Sequence, residues 1–505
     1  MNNKIVINTD GARQPEAGND LYKSRKNALM GVQKNSITAT VVVLAYNRLE
    51  KTKECVESVL RYTTDVSYKL ILVDNGSSDG TLEYFENIEY SDKLIIHITN
   101  NIGGAFAMRN SIQNFEGRFL VFLANDLIVT TNWLSNLIKC AMSDERIGLV
   151  QPVSSNVSNN QQVDLDYSNR EQMQEEAKRY NISDPKKWHE RMRIITLGSL
   201  ITRECLSTVG PFFDIGFFHD FGDDDLAFRI RRVGYKVVLA RDVWVHHNHQ
   251  SSNFEDKNKE IFIENLQKGR QNFSDKYYGI DAWNDVSNFE KSMISMIMPP
   301  ENTEPIHVLG IDVRCGTPIL EIKNRLKEFN VFNTVLSAFT QDAKYYIDLK
   351  TICEGAVVCD REEYLYHHFE AKHFDYVFLG NPINQYKDPL RVLESIMSLC
   401  KDNAQILCKF RNYFDYKTFL NILGQKDVYD IEYGVHISIE AVNKWLISKG
   451  YKINNLTAES ELTSTTDITY LKELISKLIS SQNVEPIFNS MAAKDCIISI
   501  TKNLL

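Results

Sequence analysis

Three consecutive carboxylates, Asp223, Asp224 and Asp225, stand in the stretch FHDFGDDDLAFRIRRVGYK (Phe218–Lys236), ahead of Arg229, Arg231 and Arg232. Side by side they repel, which raises the pH at which one of them ionises and suits it to accept a proton near neutrality. One Asp would suffice to cap a helix over Leu226–Val233, with Gly234 as the residue that ends it. The other two are then solvated or have a chemical task. Asp126 poses a related question, because it directly follows the apolar run FLVFLA. A carboxylate there is costly without a partner, and a hard divalent cation shared with diphosphate oxygens is a natural one. Thr130 and Thr131 lie closer to the next helix start, which weakens a capping role for Asp126.

Four further polar clusters punctuate the same region: YNR (Tyr46–Arg48), DNGSSDG (Asp74–Gly80), NNIGGAFAMRN (Asn100–Asn110) and AND (Ala124–Asp126). Each is turn chemistry by itself. Each also follows an apolar, β-branched run: Ala39–Ala45, Lys69–Asp74, Lys93–Thr99 and Arg118–Ala124. Helical patterns over Glu50–Leu60, Leu82–Asn87, Ala105–Asn114 and Asn132–Met142 separate the runs. The alternation predicts an α/β fold with a parallel sheet covered on both faces. In such a sheet ligands bind beyond the carboxyl ends of the strands, so all four clusters are expected at one crevice.

The chain has 505 residues, 43% hydrophobic and 24% charged, which predicts two or three ordinary globular domains. Its net charge of −9 disfavours nucleic-acid binding through a broad basic surface. The nine cysteines are scattered without a CxxC pair and read as reduced thiols. With no membrane-span-length apolar run and no signal-peptide pattern, the chain is expected in the cytoplasm, with the inner face of the membrane open to it. Residues 1–36 are polar and aperiodic and read as an extension. A first α/β domain is expected over 37–255, with an insertion over 151–195 that holds one helix near Arg170–Tyr180. A helical linker is expected over 256–304, closing on the proline-rich MIMPPENTEP (Met296–Pro305). A second α/β domain over 305–505 has strands at His307–Asp312, Phe374–Gly380 and Ala404–Phe410.

In order, VVVLAYNR, LVDNGSSDGT, NNIGGAFAMRN, FLVFLAND, VGPFFDIGFF, DDDLAFRIRRVGYK and VWVHHNHQSS resemble glycosyltransferase family 2 over about residues 38–255. The resemblance implies a GT-A nucleotide-sugar-binding fold, an inverting mechanism, a divalent metal (Mn or Mg) and a UDP- or dTDP-sugar donor. Carried over by residue, it implies a nucleotide site of Ala45, Tyr46, Asp74, Asn101, Gly103 and Arg109, with Arg48 and Asn125 beside them. Asp74 would accept from the N3–H of a uracil or thymine ring. Ala124-Asn125-Asp126 takes the place of the DxD motif. Asp126 is the implied metal ligand, and His246 or His249 the implied third ligand on the metal or diphosphate side. Ala124 replaces the motif's first acid. Where the family has a Glu-Asp pair, this chain has Gly222-Asp223, so Asp223 is the implied general base, with Asp224 the alternative. Asp225 takes the capping place, where it can pair with an Arg.

The second domain resembles a class I S-adenosylmethionine methyltransferase, through VLGIDVRCGTP, FDYVFLGNPINQYKDPLRVLESI and HISIEAVNKWLISKGYKI. It departs from the cofactor loop at Arg314 and Pro318, and VLSAFTQ (Val335–Gln341) offers no acid for the ribose. A retained Rossmann-like sheet that does not bind S-adenosylmethionine is therefore expected, serving acceptor docking or homo-oligomer contacts. The expected activity is transfer of a sugar to a hydroxyl of a glycan, lipid-linked glycan or protein. The alternatives are a bifunctional glycosyltransferase-methyltransferase and a non-catalytic glycan-biosynthesis scaffold.

Overall fold

The computed structural model describes residues 3–8, 38–210, 214, 217, 220–248, 259–301, 305–412, 415, 416, 418, 437–460, 465–478 and 484–503. The chain divides into two compact units, Met1–Ser287 and Asn288–Leu505. The stretch expected as a linker is thus shared between them. Among the described residues no helix is long and apolar enough to cross a membrane.

The N-terminal unit is built on a 10-stranded sheet. Its strands are β1 (Asn3–Ile7), β2 (Ala39–Ala45), β3 (Tyr68–Asn75), β4 (Lys93–Ile98), β5 (Phe119–Ala124), β6 (Leu127–Ile128), β7 (Ile147–Ser154), β8 (Trp188–Glu190), β9 (Leu200–Thr202) and β10 (Lys236–His247). They run in the order β1-β4-β3-β2-β5-β9-β7-β10-β6, with β8 beside β10. The helices are α1 (Leu49–Tyr62), α2 (Thr81–Asn87), α3 (Gly104–Ile112), α4 (Trp133–Met142), α5 (Arg170–Tyr180), α6 (Arg203–Val209), α7 (Gly222–Arg232) and α8 (Lys259–Lys276). Along β2, Val41 and Val43 enter one buried cluster and Val42 another, as the twofold side-chain alternation of a strand covered on both faces requires.

Three expectations change here. The sheet is mixed, because β9 runs antiparallel to both β5 and β7. A strand buried on both faces reads the same in either direction, so the runs did not reveal this. Residues 3–7 are not part of a featureless extension: Asn3–Ile7 pairs in parallel with β4, from Asn3 opposite Leu94 to Ile7 opposite Ile98. Finally, α7 begins at Gly222, four residues before the expected Leu226, and its N-cap is Phe221 in the left-handed region with φ 66°. The three aspartates therefore form its first turn. They favour the helix through its dipole and make no side-chain cap.

The C-terminal unit carries α9 (Lys291–Ser295) and a 7-stranded sheet in the order β13-β12-β11-β14-β15-β17-β16. Its strands are β11 (Ile306–Ile311), β12 (Thr334–Thr340), β13 (Val357–Cys359), β14 (Phe374–Leu379), β15 (Cys400–Arg411), β16 (Tyr451–Ser460) and β17 (Ala493–Lys502). β17 runs antiparallel to both β15 and β16. Gln405 clips the segment before β11 onto this sheet: its amide donates to the Met296 carbonyl (2.7 Å) and its oxygen accepts from Met298 N–H (3.0 Å).

Candidate active site

The register of the parallel strands aligns the polar clusters. Ala45 lies opposite Asp74, Leu44 opposite Ala124, and Asp74 opposite His97. Side-chain hydrogen bonds then lace the loops together. Asn47 N–H donates to Ser77 Oγ (2.9 Å), and Ser78 N–H donates to Asn47 Oδ1 (2.9 Å). Asn75 donates to Asn101 Oδ1 (2.9 Å), which also accepts from Gly103 N–H (2.8 Å). Gly76 sits at φ 80°, and a Cβ there would fall 2.6 Å from the Asn101 nitrogen, so only glycine lets the second and third loops approach this closely.

Several residues expected at the nucleotide turn out to build this frame. Ala45 is fully buried within the core. Asp74 is fully buried too: it accepts from Ser77 N–H (3.0 Å) and from His97 Nδ1 (2.7 Å), so it braces a turn and presents no surface to a base. Asn125 turns inward and donates to the Asn47 carbonyl (2.9 Å) and Thr52 Oγ1 (2.8 Å), tying β5 to the first loop. Tyr46 and Arg48 do face outward. Gly103 caps α3 at φ 84°, and Arg109 lies partly buried in the last turn of that helix.

Asp126 follows β5 and is paired with His247. The antiparallel contact of β6 with β10 sets Leu127 opposite His247, and places His247 Nε2 3.7 Å from Asp126 Oδ2. Alternation along β10 sends the preceding ring elsewhere. His246 is buried, and its Nδ1 is 2.8 Å from Tyr167 Oη and 3.1 Å from Ser155 Oγ. Burial pushes the His246 pKa down to about 4, so this ring stays neutral. His247 is therefore the histidine beside Asp126, in place of the expected His246; His249 lies outside the described residues. His247 Nδ1 lies 2.9 Å from the Asn156 carbonyl. Burial lowers the His247 pKa, but Asp126 and the Asn156 carbonyl raise it above the usual value on balance, so the ring is oriented with an Nε2 proton toward Asp126, the place a bound cation would take. Arg48 Nη1 lies 3.8 Å from the same carboxylate. Burial alone would raise the Asp126 pKa, but His247, Lys51 and Arg48 hold it below the usual range.

Whether these residues fit a divalent cation can be judged from the donor set. A carboxylate and an imidazole with 3.7 Å between donor atoms can share one divalent ion. Among the described residues no third His, Cys, Asp or Glu joins them.

A cavity of about 540 Å³ adjoins the end of β5. Its walls include Ala124, Arg193, Thr196, Asp223, Asp224 and Trp283. The three adjacent aspartates have separate surroundings. Asp225 is fully buried and holds α7 to α8 and its extension, bonded by Arg229 Nε (2.7 Å), Tyr277 Oη (2.6 Å) and Lys276 Nζ (2.5 Å). Asp224 is buried, not solvated as the sequence suggested: it is ion-paired with Arg193, whose Nη2 lies 3.2 Å from Oδ2 and whose Nη1 donates to Ser287 Oγ (2.8 Å). Among the described residues Asp223 forms no ion pair; Thr196 is its close partner, through the hydroxyl and the backbone. Burial, opposed by Thr196 and aided by Asp224, pushes Asp223 up to about 7. Burial also raises Asp224, which Arg193 restrains to about 6.

In the C-terminal unit, the crevice at the ends of β11 and β14 is partly filled from within. Asp312 accepts from Gln341 N–H (2.9 Å), Gln341 Nε2 (3.0 Å) and Tyr386 Oη (2.9 Å). Arg314 follows in the left-handed region at φ 54°. Pro318 sits in the first turn of α10 (Thr317–Glu328), where a proline is tolerated. A cavity of about 330 Å³ remains, lined by Gln341, Glu362, Asn381, Tyr386 and Lys387 among others.

Residues 40–200 match the family described as glycosyl transferase family 2. An uncharacterized glycosyltransferase of Bacillus subtilis, YfnE, is 25% identical over 257 residues, 42% of this chain and 66% of that protein. Glycosyltransferase AglE of Haloferax volcanii is 26% identical over 208 residues, 40% of this chain and 64% of that protein. The matches thus span just under two thirds of these relatives. Weaker likenesses link the chain to solved structures. One is a Pyrobaculum calidifontis mannosyltransferase in complex with GDP-Man and Mn²⁺ (TM-score 0.35, 16% identity, covering 62% of this chain and 79% of that one). Another is an Archaeoglobus fulgidus SAM-dependent methyltransferase (TM-score 0.29, 18% identity, covering 46% and 98%).

Proposed function

We propose that the N-terminal unit transfers a sugar from a nucleotide-diphosphate donor to an acceptor hydroxyl with inversion, and that Asp223 is the base. One observation carries this reading. Of three adjacent carboxylates, Asp224 is paired with Arg193 and Asp225 with Arg229 and Lys276, whereas Asp223, which lines the cavity beside Asp224, forms no ion pair among the described residues and has its pKa raised to about 7. In a single displacement the acceptor oxygen attacks the anomeric carbon as its proton passes to Asp223. The bond from that carbon to the diphosphate oxygen breaks, and its electron pair leaves with the diphosphate. Thr196 orients the carboxylate, and the Arg193 pair keeps Asp224 from competing for the proton. Asp126 and His247 would hold a divalent cation, which when bound offsets charge on the leaving diphosphate. Arg48 adds a fixed cation at the same carboxylate.

The implied UDP or dTDP preference rested on Asp74, which the structure spends on His97 and Ser77. Base selection then passes to outward groups such as Tyr46. The test is a panel of UDP-, dTDP- and GDP-sugars, scored by released nucleoside diphosphate with and without Mn²⁺ or Mg²⁺. Release that requires Asp223 and a divalent ion supports the reading, and no release from any donor defeats it. The C-terminal unit is assigned to acceptor docking or self-association, without S-adenosylmethionine.

A further inference from the structure

We infer that the indole of Trp283 is the platform on which the acceptor docks, and that the acceptor group is a sugar ring; this rests on the assignment of Asp223 as base. Trp283 and Asp223 line the same cavity. Trp283 follows α8, in a turn where Ile280, Ala282 and Val286 are all fully buried. The indole alone among these apolar side chains points outward, 37% exposed. A large aromatic group left half in water on an otherwise anchored turn forgoes burial it could have had, unless something else covers it.

The ring is held in place before any ligand arrives. Asp281 Oδ1 accepts from the backbone N–H groups of Trp283 (3.0 Å) and Asn284 (2.7 Å). Asp281 also pairs with Arg270 (2.6 Å), and the Arg270 guanidinium carbon lies 4.6 Å from the indole centroid, backing one face. Phe221 packs against the ring at 5.6 Å with a 39° tilt. Phe221 is the N-cap of α7, two residues before Asp223, so the platform and the base are fixed to the same helix start. Among the described residues nothing accepts a hydrogen bond from the indole N–H.

A preset aromatic face beside an unused N–H donor matches the chemistry of a pyranose. Its ring C–H groups carry slight positive charge that the negative face of an aromatic attracts, and its hydroxyls accept hydrogen bonds. A peptide hydroxyl lacks such a flat, polarised C–H face and would gain little from the indole. Stacked on Trp283, a sugar turns a hydroxyl along the cavity wall that carries Asp223.

The experiment uses the full chain, the donor found in the panel, and two acceptor sets: p-nitrophenyl hexopyranosides and serine- or threonine-containing peptides. The expected result is transfer to a glycoside. Trp283→Ala should raise the glycoside KM roughly tenfold or more with a much smaller change in kcat, the scale of a lost aromatic contact. Trp283→Phe should recover most of that loss. Calorimetry with the nucleoside diphosphate should give the same affinity for wild type and both variants, which also establishes that they are folded. An unchanged glycoside KM in Trp283→Ala, or transfer to peptides alone, overturns the inference while the base assignment stands on Asp223→Asn. Nucleoside diphosphate release that persists undiminished in Asp223→Asn overturns the base assignment, and this inference with it.

Discussion

Replacing Asp223 by Asn keeps its shape and its contact with Thr196 but removes the proton acceptor. The loss expected for a positioned base is roughly 10² or more in kcat. The wild-type pH profile carries the sharper signature. Asp223 must be ionised to act, and with its pKa raised to about 7 half the enzyme is competent at that pH. The rate should fall about tenfold for each further pH unit on the acid side, a limb that Asp223→Asn should lack. Three neighbours set the position of the limb. Asp224 raises the pKa, while Thr196 and Arg193 lower it. Asp224→Asn removes the raising charge and releases Arg193 to face Asp223 alone, so its limb should move to lower pH. The stability sign follows from the same shift. A carboxyl whose native pKa is raised binds its proton more tightly in the folded state. That contribution is present in acid and is lost as pH rises through about 7. Asp223→Asn should therefore melt higher than wild type at pH 8, with the gap closing toward pH 4. The assay is nucleoside diphosphate release from pH 5 to 9, with thermal melts in the same buffers. An acid limb that stays put in Asp224→Asn, or Asp223→Asn activity within tenfold of wild type, would refute the argument.

Asp126→Ala should abolish metal-stimulated turnover and leave the melting curve close to wild type. His247→Ala should weaken Mn²⁺ binding by roughly 10- to 100-fold, measured by titration with the nucleoside diphosphate present, whereas His246→Ala should act on stability instead. Asn125→Ala removes a part-buried hydrogen bond to the Asn47 carbonyl and a buried one to Thr52, and should cost about 1–3 kcal/mol by denaturant titration, with a raised donor KM as the first loop loosens. Calorimetry of the full chain with S-adenosylmethionine and its demethylated product should show no micromolar binding. Such binding would mean that the Asp312–Gln341–Tyr386 contacts open.

The central strands and the edge at which the chemistry gathers were legible because they rest on runs of β-branched residues with turn formers behind them. What composition could not show was direction and destination. Leu200–Thr202 reads as apolar in either orientation, and only the paired neighbours reveal that it runs against them. Asn3–Ile7 is a five-residue run with nothing local to mark it; its partner is some ninety residues away. The polar clusters raised a different difficulty. Asp74, Asn101 and Asn125 are the residue types that meet ligands, and they are equally the types that satisfy turns. In each case groups of the frame claimed the side chain: Ser77 N–H and His97 for Asp74, Asn75 and Gly103 N–H for Asn101, the Asn47 carbonyl and Thr52 for Asn125, which a one-dimensional pattern cannot distinguish.

The two histidines and the three aspartates mark where three-dimensional information enters. In VHHNH three of five residues are imidazoles, so sequence leaves the register open; a strand sends His246 and His247 to opposite faces, and His247 is on the face that holds Asp126. The same logic separates the aspartates on a helix, where successive side chains are turned by about 100°. Asp225 meets Lys276 and Tyr277, Asp224 meets Arg193, and Asp223 is left with a hydroxyl and the cavity. Like-charge repulsion in the sequence is thus resolved by distributing cations unevenly. The carboxylate denied a cation is the one whose proton affinity rises toward neutrality, as a base at this position requires.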